Sequence, residues 1–242
     1  MAVSNLQNCV RDLEAHGHLL RFDQPVDPYL EAAEVHRRVF QSDGPAILFT
    51  NVRGCQFPLV SNLFGTLRRS EFIFRKTLDS VRRLVQARVD PMDVLKHPLR
   101  NLGLPWQAIK TIPRRCSHGP VLEKTCDLTD LPQLQCWPED GGAFITLPQV
   151  YTQASLSDSM MQSNLGMYRV QLSGGEYDEN EVGLHYQIHR GIGVHQTEAN
   201  RLGKPLPVNI FVGGSPAMMV AAVMPLPEGM SELTFAGALS GK

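Results

Sequence analysis

Residues 161–171 read MQSNLGMYRVQ, and the way this stretch folds decides how the second half of the chain is built. A half-buried strand alternates apolar and polar side chains. Leu165 and Met167 keep that beat. Arg169 falls on it too, so a regular strand would aim a guanidinium into its own apolar side. Two outcomes are open: a turn or bulge breaks the register between Asn164 and Arg169, or the arginine faces something anionic.

Working outward from this stretch, β signals dominate beyond residue 150. Val150–Gln153 and Met167–Leu172 predict strands, and the polar connection Ser173–Leu184 leads to a returning strand over Leu184–Ile188. In that strand Leu184, Tyr186 and Ile188 would share one face, and His185, Gln187 and His189 the other. Ala199–Leu202 ends a short helix at Gly203, and Val208–Val212 is a further strand. Gly213-Gly-Ser-Pro216 opens an apolar helix over 216–223, with Ser215 as N-cap and Pro216 in its first turn. Ser231 caps another helix that carries Glu232 in its first turn.

The N-terminal third alternates helix and strand signals. Ser4-x-x-Gln7 predicts a capped helix that Gly17 closes, and Asp27-Pro28 predicts a second helix start. Ala46–Thr50 reads as a buried strand and Phe57–Val60 as an edge-like one. Phe74, Leu78, Val81 and Val85 fall at the spacing of one helix face. Prolines at 91, 98, 105, 113, 120, 132, 138 and 148 forbid long regular elements in between. A domain boundary is placed near 112, separating an α/β part (1–112) from a β-rich part (113–242).

The bulk numbers fit a globular protein. The chain has 242 residues, 43% of them hydrophobic and 19% charged, with a formal net charge of −1. No global field recruits nucleic acid or an anionic membrane. The pairs Arg68–Arg69, Arg82–Arg83 and Arg114–Arg115 read as solvated faces. The first 30 residues lack an apolar signal-peptide core, and the apolar run Ala217–Met224 is too short to cross a bilayer. The five cysteines lack a CxxC pair and fit a reduced, cytoplasmic protein with buried thiols.

Three features carry chemistry. His185 and His189, at i and i+4 on a strand, would lie roughly 13 Å apart, so they are exposed polar residues or single ligands that pair elsewhere. The glycine turn before Pro216 is a plain strand-to-helix turn or an anion cradle. Glu232 is a dipole-favoured carboxylate or part of a site. By spacing alone the chain is an α/β plus β-rich protein with an anion or metal site left open.

The order of the pieces adds more. Asn164-Leu-Gly-Met-Tyr-Arg169, His185-Tyr-Gln-Ile-His-Arg-Gly191, Met224-Pro-Leu-Pro-Glu-Gly-Met-Ser-Glu232 and Phe235-Ala-Gly-Ala-Leu-Ser-Gly241 together closely resemble the UbiD family of carboxy-lyases. So does Cys136-Trp-Pro-Glu-Asp-Gly-Gly-Ala-Phe-Ile-Thr-Leu-Pro148. The resemblance implies an α/β N-terminal domain followed by a split-β-barrel flavin-binding domain, incomplete at the C-terminus. It implies reversible decarboxylation of an aromatic or α,β-unsaturated acid with prenylated FMN, in the manner of hydroxybenzoate- or naphthoate-type acids of quinone synthesis. Asn164, His189 and Glu232 match the ligands of a divalent ion, Mn²⁺ or Mg²⁺, that ties the flavin phosphate to the protein. Met167, Tyr168, Arg169, His185, Tyr186, Gln187, Arg190 and Gly191 match flavin-wrapping segments, and backbone oxygens of Ala222 and Met224 match a K⁺ site. Arg169 matches the catalytic arginine that faces the flavin and the substrate carboxylate, which requires a turn or bulge after Asn164.

The resemblance also implies a flavin prenyltransferase as cofactor supplier, a homo-oligomer, and peripheral membrane association if the substrate is prenylated. It places two catalytic acids on a loop after the Phe235–Gly241 segment, past Lys242. They would come from a longer chain or a second chain, or be lost. A non-catalytic flavin-binding fragment or partner subunit is the alternative, and a generic FMN-binding split barrel is a third.

Overall fold

The computed structural model describes residues 5–89, 92, 109, 111–156, 159–226 and 230–241. Helix α1 (Leu6–Ala15) starts at Asn5, whose side chain accepts the Asn8 N–H at 2.8 Å. Asn5 therefore takes the capping role expected of Ser4, which lies outside the described residues. Gly17, at φ 71°, ends the turn after the helix and leads into strand β1 (Leu19–Phe22). β1 pairs in parallel with β2 (Ala46–Phe49), and β2 pairs antiparallel with β3 (Leu59–Ser61).

The apolar run in β2 is explained by burial on both faces. Ala46 and Leu48 pack into one hydrophobic cluster, and Ile47 and Phe49 into another. Successive side chains of a strand point to opposite faces, so a central strand between two layers must be apolar throughout.

Helix α2 begins at Glu31 and ends at Gln41, later than Asp27-Pro28 predicts. The backbone there is already committed: Val26 N–H donates to Asn51, Leu30 N–H to Gln135, and Gln135 N–H back to Pro28. Asp27 caps only the turn, accepting the Tyr29 N–H at 2.8 Å. Tertiary pairing overrides the local start signal.

Phe74 and Val85 do not share one helix. α3 (Leu67–Phe74) stops, and α4 (Leu78–Val89) restarts after Thr77, whose hydroxyl donates to the Leu239 carbonyl at 2.8 Å. Arg69 also departs from its expected solvated face. It is only 3% exposed, and its guanidinium donates to the carbonyls of Leu63, Gly44 and Asn62. That loop of acceptors replaces the water a buried cation would otherwise lose.

Beyond 111 two three-stranded antiparallel sheets form. In one, β5 (Gln149–Gln153) lies between β6 (Ser163–Gly166) and β9 (Val208–Phe211). In the other, β7 (Arg169–Gln171) lies between β4 (Phe144–Ile145) and β8 (Gly183–His185). The chain crosses from one sheet to the other at Met167-Tyr168, which shortens the predicted Met167–Leu172 strand. Leu165 and Arg169 thus belong to different sheets, and the arginine side chain leaves the apolar face on which Leu165 is buried. Gly166 permits the crossing: a Cβ there would sit 2.6 Å from the Tyr168 ring.

β8 ends at His185, and residues 188–189 form a turn. His185 and His189 therefore share no strand, and Tyr186 and Ile188 are exposed rather than packed with Leu184. Helix α5 runs Gly191–Arg201 and closes before Gly203 (φ 62°) as expected, but it is longer than the short helix read there. Val150 from one sheet, Val170 from the other and Ile192 from α5 make a shared core.

Helices α6 (Pro216–Ala221) and α7 (Glu232–Ser240) begin as predicted, with Ser215 accepting the Met218 N–H and Ser231 the Leu233 N–H. Ala217, Met219, Phe235 and Leu239 pack against Leu13, Ile73 and Val81, so the largest core draws on both sides of residue 112. Most of the proline-rich stretch 90–110 lies outside the described residues. Among the described residues no helix is long and apolar enough to cross a membrane. All five cysteines are free, but Cys116 and Cys126 are exposed, contrary to the buried thiols expected.

Candidate functional site

The site is built on β6. Asn164 pairs in register with Thr152 of β5, so their side chains stand on one face of the sheet. That face meets α5. A Cβ on Gly191 would lie 2.2 Å from the Asn164 amide oxygen, so glycine lets the first turn of the helix close onto the amide. The Tyr168 hydroxyl donates to Asn164 Oδ1 at 3.3 Å, and Asn164 Nδ2 is buried without a partner. A buried amide N–H left unpaired costs about 1–3 kcal/mol, which points to a missing acceptor such as a phosphate oxygen.

Glu232 reaches the same place from α7. The backbone N–H groups of Leu165, the residue next to Asn164, and of Glu232 itself face its carboxylate. Burial pushes its pKa above the ordinary carboxylate value, while these two N–H groups pull it back. Asn164 and Glu232 lie sixty-eight positions apart in the sequence; the fold sets the Glu232 carboxylate against the backbone N–H of Leu165, the residue after Asn164. His189 is exposed in the turn two residues before Gly191, on the segment that α5 anchors.

These residue types suit a hard divalent cation. A carboxamide oxygen, an imidazole and a desolvated carboxylate are the donor set such an ion takes, and a cation at Glu232 would offset the burial of its charge. Among the described residues no three His, Cys, Asp or Glu side chains gather in metal-binding fashion, so an ion here needs the Asn164 amide as well.

Arg169 opens β7 directly opposite His185 of β8. Its guanidinium lies over the Phe144 ring, 4.2 Å from the centroid, a stacking that holds the fork without satisfying its donors. Arg190 is the N-cap of α5 and bonds to Gln187 twice, through its backbone N–H at 3.0 Å and its Nε at 3.4 Å. Met167 and Tyr168 are half-buried at the sheet crossing, and Tyr186 is 36% exposed. Asn164, Tyr168 and Gly191 are thus drawn into one constellation, and Glu232 lies against the backbone of Leu165, the residue after Asn164. Arg169 and His185 form a second on the adjoining sheet. Ala222 is half-buried just past α6 and Met224 is exposed, and residues 227–229 of the neighbouring motif lie outside the described residues.

Sequence reasoning missed Thr152 and His195. Thr152 is fully buried, and its hydroxyl meets His195 Nδ1 at 2.9 Å. Burial holds the His195 imidazole below its usual pKa, with Glu198 opposing. The signal was available: 191, 195 and 198 lie on one helical face, but the two glycines concealed the start of the helix.

Comparison with known proteins adds the family. Residues 110–242 match the model of the 3-octaprenyl-4-hydroxybenzoate carboxy-lyase Rift-related domain, and residues 10–88 match the N-terminal domain of the same enzymes. A Chlamydia pneumoniae protein described as a 4-hydroxybenzoate decarboxylase subunit is 41% identical over 227 residues, covering 90% of this chain and 36% of its own. The closed form of vanillic acid decarboxylase from Sedimentibacter hydroxybenzoicus superposes with a TM-score of 0.80 at 24% identity, over 99% of this chain and 49% of that one. A dimeric form of the UbiD-class enzyme HmfF from Pelotomaculum thermopropionicum, in complex with prenylated FMN, does so with a TM-score of 0.74 at 23% identity, over 97% and 50%. The chain spans less than half the length of the curated relatives it matches. With both domains of the family recognised in order along it, the chain belongs to the UbiD family of carboxy-lyases.

Proposed function

We propose that this chain carries the cofactor and metal site of a UbiD-type decarboxylase acting on an aromatic or α,β-unsaturated carboxylic acid, of hydroxybenzoate or naphthoate type. Asn164, His189 and Glu232 hold a divalent ion, Mn²⁺ or Mg²⁺, against the phosphate of prenylated FMN. Met167, Tyr168, Arg169, His185, Tyr186, Gln187, Arg190 and Gly191 line the flavin, and the carbonyls of Ala222 and Met224 take K⁺. The two domains run 1–112 and 113–242. A flavin prenyltransferase supplies the cofactor, and the whole protein is a cytoplasmic homo-oligomer.

The single observation that carries this reading is the buried, unpartnered Asn164 Nδ2, a donor that a phosphate oxygen of the cofactor would satisfy. When bound, the flavin supplies the electron sink for loss of carbon dioxide. The protein's own residues do the rest. Arg169, stacked on Phe144, presents a planar fork matched to a carboxylate. Among the described residues it takes part in no ion pair, which leaves its donors for the substrate. Tyr168 holds the Asn164 amide, and Gly191 closes α5 over it.

A second reading is a non-catalytic flavin-binding fragment or a partner subunit of a split decarboxylase. The two-subunit vanillic acid decarboxylase among its structural neighbours is consistent with that arrangement. Co-expression with a flavin prenyltransferase in manganese medium, followed by native mass spectrometry, tests the first reading. Bound prenylated FMN that disappears in Asn164→Ala or Glu232→Ala supports it. A folded apo protein indifferent to manganese counts against it. A carboxylic-acid panel then tests the substrate class: turnover of small acrylic acids alone would remove the hydroxybenzoate assignment.

A further inference from the structure

Helix α5 is tied to the sheet by three contacts along one face. Gly191 closes on the Asn164 amide of β6, His195 Nδ1 meets the Thr152 hydroxyl of β5 at 2.9 Å, and the Glu198 carboxylate accepts the Ser155 N–H at 3.0 Å, just past the end of β5. Positions 191, 195 and 198 are spaced +4 and +3, so they form a single seam down the helix. The middle contact is the most buried: Thr152 is 0% exposed and is the register partner of Asn164. Apolar neighbours on α5, Ile192 and Ala199, supply burial but no directional bond. A helix rotates about 100° per residue. Without the His195 contact, the apolar surface and the exposed Glu198–Ser155 bond near the far end of the helix would let α5 settle with its first turn displaced from Asn164.

From this seam we infer that His195 is a positioning residue for the metal site: through Thr152 it fixes the rotation of α5, and with it the placement of Gly191 on Asn164 and of the turn that carries His189. The inference rests on the reading of Asn164, His189 and Glu232 as cation ligands only for its effect on the metal. The effect on α5 stands by itself. His195 touches neither ion nor substrate. It acts as outer-shell partners of metal ligands do, by holding what holds the ligand, and loss of such partners typically weakens metal binding 10–100-fold.

The test uses His195→Asn, whose amide occupies the place of Nδ1, beside His195→Leu, which fills the space without a polar atom, and Thr152→Ser beside Thr152→Val. Two quantities are read on each variant: backbone hydrogen exchange over Gly191–Arg201 in metal-free protein, and Mn²⁺ binding followed by the electron paramagnetic resonance of the ion. Expected is faster exchange from Val194 onward in α5, whose N–H is the first with a helical acceptor, and Mn²⁺ binding weaker by 10–100-fold in His195→Leu and Thr152→Val. The conservative His195→Asn and Thr152→Ser should stay within about threefold of the parent. Parental exchange in His195→Leu overturns the inference, and so does equal loss in His195→Asn and His195→Leu, which would mean that only the volume of the ring matters. If the parent binds no Mn²⁺ while the exchange pattern follows the prediction, the metal assignment fails and the positioning of α5 stands.

Discussion

Replacing Gly191 by alanine asks how closely α5 must approach the Asn164 amide. In an ordinary helix the change stabilises by about 0.8–1.0 kcal/mol, because glycine loses more backbone entropy. Here the new Cβ would lie 2.2 Å from Asn164 Oδ1 and 2.7 Å from its Cγ, well inside contact distance. The obstacle is the end of a side chain, so the amide swings away rather than the backbone yielding. Overpacking of this kind costs about 1–3 kcal/mol. Set against the propensity gain, the net loss of stability should be only about 0–2 kcal/mol. The site suffers more, since the displaced group is the Asn164 amide itself, and Mn²⁺ affinity should fall 10–100-fold.

Gly193→Ala is the natural companion. Its Cβ would meet the Ile188 carbonyl oxygen at 2.1 Å and two further Ile188 backbone atoms within 2.7 Å. Backbone cannot swing away, so this variant should lose about 2–3 kcal/mol or more. Urea denaturation of both variants, with Mn²⁺ titration by paramagnetic resonance, gives the comparison. Parental Mn²⁺ binding by Gly191→Ala would refute the close approach as a requirement of the site. Greater destabilisation of Gly191→Ala than of Gly193→Ala would refute the distinction between side chain and backbone as the obstacle.

Other expectations follow from single contacts. Tyr168→Phe removes the donor to Asn164 Oδ1 and should cost about 0.5–1.5 kcal/mol in chemical denaturation; an unchanged midpoint would dismiss that bond. Cys9 is 1% exposed and its thiol is pushed up to about 12 by burial, so in native protein at about pH 7.5 a disulfide reagent should titrate Cys116 and Cys126 within minutes and Cys9 only on unfolding. Labelling of Cys9 at the rate of Cys116 would contradict this. The hydrogen bond from Arg75 holds the Asp12 carboxyl below its ordinary value of 3.8. A depressed carboxylate contributes stability above the unfolded value that is lost as pH falls through the folded one. The pair, worth about 0.2–1 kcal/mol, should therefore support the protein above about pH 4 and fade below it. Asp12→Asn should lower the melting temperature at about pH 6 and leave it unchanged near about pH 2, and an equal loss at both would be the wrong sign.

What could be seen in the sequence depended on whether local chemistry or tertiary packing decides each element. Ser215-Pro216 and Ser231-Glu232 were legible because capping is local: the side chain that starts the helix sits beside the N–H it satisfies. β2 was legible because both its faces are buried and its composition has no alternative. The start of helix α5 was not. Gly191 and Gly193 are poor helix residues kept for close approach to Asn164 and to the Ile188 backbone, so the feature that makes the site also hides the start of the helix that builds it. The same holds at Arg169, where the beat of Leu165 and Met167 runs on in the sequence but the chain changes sheets between them. Asp27-Pro28 misled for another reason, since its start signal was outweighed by backbone pairing to Asn51 and Gln135, far along the chain. The candidate ligands were recognised through family motifs. That Glu232 of α7 comes to lie against the backbone of Leu165, beside Asn164, could be found only in three dimensions.

The place where a divalent ion binds is the central question for this chain. Crystals of the protein grown with Mn²⁺, with anomalous differences recorded at the manganese edge, decide it in one experiment. The prediction is a strong peak within coordination distance of Asn164, His189 and Glu232, absent from Glu232→Ala crystals. A peak elsewhere on the chain, or none at these residues with the fold intact, would contradict the assignment of this site.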